Sequence, residues 1–257
     1  MRVVSLVPSW TETLLAAGVE VVGRTRYCIH PASQIDRIPV LGGTKAADFA
    51  VLDAMRPDLV LIDREENTRE MAAQITAPLL VTHVRTVRDA ADETSRLARE
   101  LRSARLSEQA ERWRRIIDLG PFPPAGSLSD LPGVLSWWIP AGDSDAGLVY
   151  LIWGKPWMAA GPGTFIGDML RWLGYGGRQL ASDKAYPEIV IDDLPASTAL
   201  LCSSEPYPFQ RFEARIRDLG RPAALVDGEC YSWFGIRALR FLERCRGLAE
   251  EKSGAAP

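Results

Sequence analysis

One short loop of this chain gathers a phenol, a thiol and an imidazole in the segment Tyr27-Cys28-Ile29-His30-Pro31. All three groups can ligate iron or cobalt, and His30 is the expected axial metal ligand. The other reading of His30 is an ordinary hydrogen-bonded loop histidine. A second set is acidic: Glu65, Glu66 and Glu205 each follow an apolar run and can be either solvated loop charges or contacts to a ligand. A third set is aromatic. Trp10, Trp153, Trp157 and Trp233 fall near expected loops, where a flat indole can cover a planar ligand at little entropic cost, as an alternative to packing in a core. Lys155, between two tryptophans, can hold an anionic group or lie along the surface. Thr44, Thr164 and Tyr186 can donate hydrogen bonds.

Signatures of common enzyme chemistry do not accompany these groups. The chain contains no Gly-x-Ser-x-Gly, no Walker loop, no HExxH and no Gly-x-Gly-x-x-Gly. His30 and His83 are its only histidines, so the usual general bases are scarce. Cys28, Cys202, Cys230 and Cys245 are scattered without a CxxC pair, which fits neither a zinc ribbon nor a thioredoxin-type motif. They read as reduced structural thiols, with Cys28 the one placed beside other polar candidates.

The elements that must position these groups follow from the apolar pattern. In 257 residues, 47% hydrophobic, there is enough chain for one large domain or two lobes. A formal charge of −3 and no basic run with interleaved aromatics exclude nucleic acid as a partner. No stretch reaches the roughly 20 apolar residues of a membrane-spanning helix. Met1 runs almost at once into a core strand, so no export signal is visible. That reading puts the chain in the cytoplasm as it stands, or in the periplasm or outside the cell if a presequence has been removed.

Strands are predicted at 2–7, 19–23, 58–62 and 79–82, with helices at 10–17, 47–55 and 67–75. Residues 87–119 read as one long charged helix ended by the Gly120-Pro-Phe-Pro-Pro-Ala-Gly126 segment. Apolar runs at 133–139, 147–152, 198–202 and 223–226 then alternate with helical segments at 164–173, 187–194, 208–218 and 235–249. Residues 8–18 can be laid over 164–174, with Glu12 on Asp168 and Gly18 on Gly174. Residues 59–66 can likewise be laid over 198–205, bringing Glu66 onto Glu205. In open α/β sheets ligands sit beyond the carboxyl ends of the strands. Applied here, that rule selects Pro8, Ser9 and Trp10, then residues 63–67, 203–207 with Tyr207 among them, and 227–233.

Taken in order, Arg2 to Gly18, Val22-Gly23, Gly42-Gly43-Thr44 and Arg56-Pro-Asp-Leu-Val-Leu61 resemble the first lobe of class III substrate-binding proteins of ABC importers. The branch resembled is the one that binds cobalamin and ferric siderophores, also called helical backbone metal receptors. Residues 226–235, Val-Asp-Gly-Glu-Cys-Tyr-Ser-Trp-Phe-Gly, resemble the last cleft loop of that family. The resemblance implies α/β architecture with an N-terminal lobe at 1–86, a linking backbone helix at 87–119 and a C-terminal lobe at 120–257. Its two parallel-sheet lobes would enclose a ligand cleft.

The same resemblance implies a non-catalytic receptor for a metal chelate, a corrinoid such as cobalamin first, with haem or a ferric siderophore behind it and no cofactor of its own. An ABC permease would be the partner, with Glu66 and Glu205 as docking carboxylates. The expected ligand-binding residues are Pro8, Ser9, Trp10, Tyr27, Thr44, Glu65, Glu66, Trp157, Glu205, Tyr207 and Trp233. Two other readings stay open: a cytosolic enzyme using Tyr27, Cys28, His30 and the carboxylates, and a cytosolic carrier that hands a metallocofactor to another protein.

Overall fold

A computed structural model describes residues 1–142 and 146–248. Its first lobe contains β1 (Arg2–Ser5), α1 (Pro8–Ala16), β2 (Glu20–Arg24), α2 (Ala32–Ile35), α3 (Phe49–Ala54), β3 (Leu59–Asp63), α4 (Arg69–Gln74) and β4 (Leu79–Thr82). The four strands pair in parallel in the order β2-β1-β3-β4. Buried valines and leucines fill both faces, as a parallel sheet covered on two sides requires.

Two helices follow, α5 (Val87–Glu100) and α6 (Ala104–Leu119). Here the structure corrects the expectation of one linking helix. The chain turns back at Leu101–Ser103, where Arg102 adopts a left-handed φ of 49° and Ser103 caps α6 by accepting from the Leu106 amide. Leu97 on one side of the break and Leu106, Trp113 and Ile116 on the other are all fully buried, although the nine residues from Leu97 to Leu106 would place them on opposite faces of one continuous helix. The hairpin lets both helices press those side chains into one core. A threonine–aspartate capping box, Thr86 with Asp89, starts α5.

The second lobe comprises β5 (Val134–Ile139), β6 (Leu148–Gly154), β7 (Trp157–Ala160), α7 (Phe165–Trp172), β8 (Ala199–Ser203), α8 (Glu213–Arg217), β9 (Ala223–Val226), α9 (Gly228–Ser232) and α10 (Ile236–Cys245). Its sheet runs β5-β9-β8-β6-β7. Three strands are parallel, but the edges β5 and β7 are antiparallel, so this sheet is mixed where a parallel one was expected. Residues 187–194 form a single 3-10 turn at Ile191–Asp193 rather than a helix. The predicted helix at 235–249 is α10, and its last position lies outside the described residues.

Read from the other edge, β7-β6-β8-β9 repeats the first lobe's β2-β1-β3-β4, with β5 added. The overlaid helices also correspond: α1 ends before Gly18 (φ 71°) and α7 before Gly174 (φ 90°). Glu12 and Asp168 occupy matching helix positions, and both are buried anchors. Glu12 receives a two-pronged hydrogen bond from Arg237 at 2.8 and 2.9 Å, while Asp168 accepts from the Val87 amide at 2.7 Å.

One hydrophobic cluster runs through both lobes and the helix pair, joining Val3, Trp10, Leu97, Trp113, Phe165, Trp172, Tyr231 and Phe241. Each sheet has a second, smaller cluster on its other face. The two lobes therefore share a core rather than hanging from a free linker. Arg112 adds a tie between α6 and α10 through both carboxylate oxygens of Glu243.

Candidate functional site

The loop after β3 is built to hold carboxylates in place. Asp63 accepts from the Glu65 amide at 2.9 Å and from the Thr82 hydroxyl at 2.6 Å. Asn67 accepts from the Asp63 amide and donates to the carbonyls of Leu6 and Thr44. Trp10 supports the assembly from below, its indole N–H donating to Thr82 at 2.9 Å. These bonds satisfy the buried polar groups, so the loop's shape is fixed before any ligand arrives.

Above that loop lies a cavity of about 110 Å³ between the lobes. Glu65 and Glu66 enter it from β3, and Val84 and Arg85 from the end of β4. Thr164, Phe165, Tyr186, Ser232 and Phe234 face them from the second lobe. Ser232 donates to Glu205 at 2.9 Å, which holds that carboxylate beside the cavity. A larger open hollow of about 300 Å³ lies elsewhere, between Phe122, Pro123, Pro132, Tyr175 and Cys245. It is remote from the strand ends, and its phenol is spent on the Ser127 carbonyl. The inter-lobe cavity, where two sheets converge their loops, is the better candidate.

Its electrostatics are dominated by carboxylates. Burial, and then the charge of Asp63, push Glu66 above the usual glutamate range. Burial likewise raises Glu205 and Asp63. Tyr186 is pushed up to about 12, first by burial and then by Glu65 and Glu66. Across the lobe boundary, Glu205 is among the groups that raise Glu66. Nearby cations are committed to carbonyls: Lys45 donates to Glu65 O at 3.1 Å, and Arg85 to Gly163 O at 2.9 and 3.2 Å.

A second set of contacts bridges the lobes. His30 Nε2 lies 2.9 Å from Glu229, Glu229 accepts from Arg237 at 2.8 Å, and Arg237 reaches Glu12. Trp233 packs edge-on against His30 at 5.3 Å and lies under Arg237 at 5.3 Å. His30 is thus paired with a carboxylate across the lobe boundary.

The other expected site residues disperse. Trp10 is fully buried and packs on Phe234 at 5.1 Å, and Pro8 and Ser9 are buried with it in α1. Cys28 is buried between the hydroxyls of Thr11 and Thr25, and burial pushes its thiol up. Tyr27 is about half exposed beside Arg26. The three polar groups of that loop therefore point to different surroundings. Trp157 and Tyr207 belong with Phe209 to the second lobe's smaller cluster, Trp157 stacking parallel to Phe209 and Tyr207 meeting Trp153 at 5.0 Å. Thr44 contributes its carbonyl to Asn67. Among the described residues, no three His, Cys, Asp or Glu side chains form a group that could hold a metal ion.

Arg85 and Arg237 escaped sequence reasoning. The strand-end rule could have found Arg85, since it follows β4 by three residues; nothing local marked Arg237, because its partners lie 225 and 8 residues away.

The elements and the cleft they enclose define the two-lobed fold of class III substrate-binding proteins of ABC importers. Among solved structures, the chain is similar to the periplasmic vitamin B12 binding protein BtuF of Vibrio cholerae, with TM-score 0.65, 17% identity and 96% of each chain covered. It is similar also to a periplasmic heme binding protein from Pseudomonas aeruginosa, at TM-score 0.66 and 19% identity over 95% of this chain and 91% of that one. S. aureus IsdE, solved with heme, gives TM-score 0.67 and 12% identity over 96% and 98% of the two chains. Identity this low establishes a shared fold, and function has to be argued from the site. No protein-family model matches the sequence, and no curated protein matches it. No described helix is long and apolar enough to cross a membrane.

Proposed function

We propose that this chain is a non-catalytic binding protein that holds one small ligand of the metal-chelate class between its lobes and delivers it to a partner, an ABC permease in the first instance. The observation that carries the reading is the inter-lobe cavity, lined by Glu65, Glu66 and Arg85 from one sheet and by Thr164, Tyr186 and Ser232 from the other. Solved proteins of this fold, by their own descriptions, bind vitamin B12 or heme. Both histidines lie against carboxylates, His30 with Glu229 and His83 with Glu65.

Charge ranks the ligands. The cavity wall is rich in carboxylates, so a rim of amides, as on a corrinoid, meets acceptors, whereas the propionates of haem meet like charge. We therefore place a corrinoid first, a ferric siderophore beside it and haem last. A tetrapyrrole needs several hundred Å³, so the loops around His30 and Trp233 must part to admit one. On this reading Glu66 and Glu205 serve the ligand rather than permease docking, since they interact with one another beside the cavity.

The test is a visible-absorbance and tryptophan-quenching titration of the protein with cobalamin, haem and a panel of ferric siderophores. Saturable one-to-one binding of one chelate, weakened by Trp233→Ala, is the expected result. Failure of every chelate at tens of micromolar would overturn the assignment.

A further inference from the structure

Within the cleft, Glu66 is the carboxylate without a partner. It lines the cavity, is half-buried, and among the described residues no hydrogen-bond donor reaches it. Its neighbours make the imbalance worse. Asp63, Glu65 and Glu205 stand near it, against Lys45 and Arg85, and both of those cations already donate to carbonyl oxygens. A half-buried carboxylate set among like charges gains when a donor or a positive charge joins it.

The opposite wall is aromatic. Phe165 and Phe234 meet edge to face at 5.8 Å, and Tyr186 completes the enclosure. Aromatic side chains beside carboxylates suit an organic cation, whose charge pairs with the carboxylates while its alkyl carbons pack on the rings. Size narrows the choice. A cavity of about 110 Å³ has room for a few waters at about 30 Å³ each, which suits the head of a short alkyl-ammonium arm and is too small for a tetrapyrrole.

We propose that this cavity is a subsite for a protonated amine beside Glu66, which favours a chelate that carries such an arm over one that does not. The inference rests on the binding-protein reading above and adds the charge of the ligand to it. A chelate with a primary amine then binds more tightly than the same chelate with that amine acetylated.

The experiment uses the full chain and a probe independent of any chelate. 1,4-Diaminobutane and its N,N′-diacetyl form are titrated calorimetrically at about 0.15 M salt, where exposed charges are largely screened. Saturable binding of the diamine is expected, with the diacetyl form at least about tenfold weaker, the loss of one charged hydrogen bond. Glu66→Gln should weaken the diamine by a similar factor, and Glu205→Gln provides a second variant if the first is poorly folded. Absence of saturation in the wild type overturns the subsite, as does equal binding of the diacetyl form or an unchanged affinity in both variants. Chelate titrations separate the two readings: a chelate that binds while the diamine does not removes the subsite alone, and the reverse result keeps the subsite and removes the chelate.

Discussion

Arg237 joins the lobes through a two-pronged hydrogen bond to Glu12 on one side and a contact to Glu229 on the other. Replacing it with methionine keeps much of the side chain's volume and removes the charge. Glu12, whose side chain is only 9% exposed, is then left without its counter-ion. Removing one partner of a buried pair costs about 3–5 kcal/mol, and because Arg237 itself keeps 21% exposure the lower end applies, about 3 kcal/mol. For a protein of this size that lowers Tm by roughly 6–12 °C. Thermal and urea unfolding, followed by near-UV circular dichroism at pH 7, measure the loss. The double variant Glu12→Gln/Arg237→Met should recover most of it, since no charge is then left buried alone. A single-variant loss below about 1 kcal/mol, the value of an exposed pair, would refute this account. So would a double variant no more stable than the single one.

Other perturbations have equally definite signs. Glu66 has a raised pKa in the folded state, so the native protein holds a proton that the unfolded chain releases, and stability falls as pH rises above the ordinary glutamate value of 4.5. Glu66→Gln should therefore raise Tm at pH 7 and flatten the decline of Tm between the ordinary value and the raised one, as a pH series of melts will show. Trp10→Phe removes the donor to Thr82 and should cost about 1–2 kcal/mol in urea unfolding while leaving ligand-induced quenching intact, because the quenched tryptophan is expected to be Trp233. Arg102→Gly relieves a left-handed backbone at an exposed helix end and should stabilise by up to about 1 kcal/mol. The buried thiols Cys28 and Cys202, both with raised pKa, should resist a thiol reagent in the native state and react promptly once the chain is unfolded.

Much of the fold was legible because parallel strands advertise themselves. The strands at β1, β3, β4 and β8 lie within a residue or two of the apolar runs that predicted them, and the repeated order of the two lobes is visible in the overlays of Glu12 on Asp168 and Glu66 on Glu205. The hairpin of β6 and β7 was not visible, since its tryptophans read as near loops while Trp153 actually pairs with Met158 and Trp157 with Gly154. The break at Arg102 carries neither glycine nor proline; only Ser103, a good cap, hinted at it. The strand-end rule selected Glu65, Glu66 and the loop of Ser232, and these residues line the inter-lobe cavity. Pro8, Ser9 and Trp10 satisfied the same rule but turned inward, because α1 begins directly on the strand and buries its first turn. Sequence cannot tell an indole that faces a ligand from one that holds up the loop beneath it.

If the chain binds a ligand as proposed, the continuous core shared by both lobes sets the kinetics of capture. With α1 packed on α10 and Asp168 tied to the start of α5, swinging one lobe as a rigid body would expose apolar surface and break buried polar bonds. Admission of a ligand then falls to local loop opening around His30 and Trp233, which is small in amplitude and fast. Little ordering is left to be done when the ligand arrives, so association should depend weakly on temperature and approach the rate of orientation-limited encounter. Such a receptor keeps its cargo by a slow departure rather than a large closure. On the proposed function, a partner that takes the cargo would have to supply the free energy of prying the loops apart.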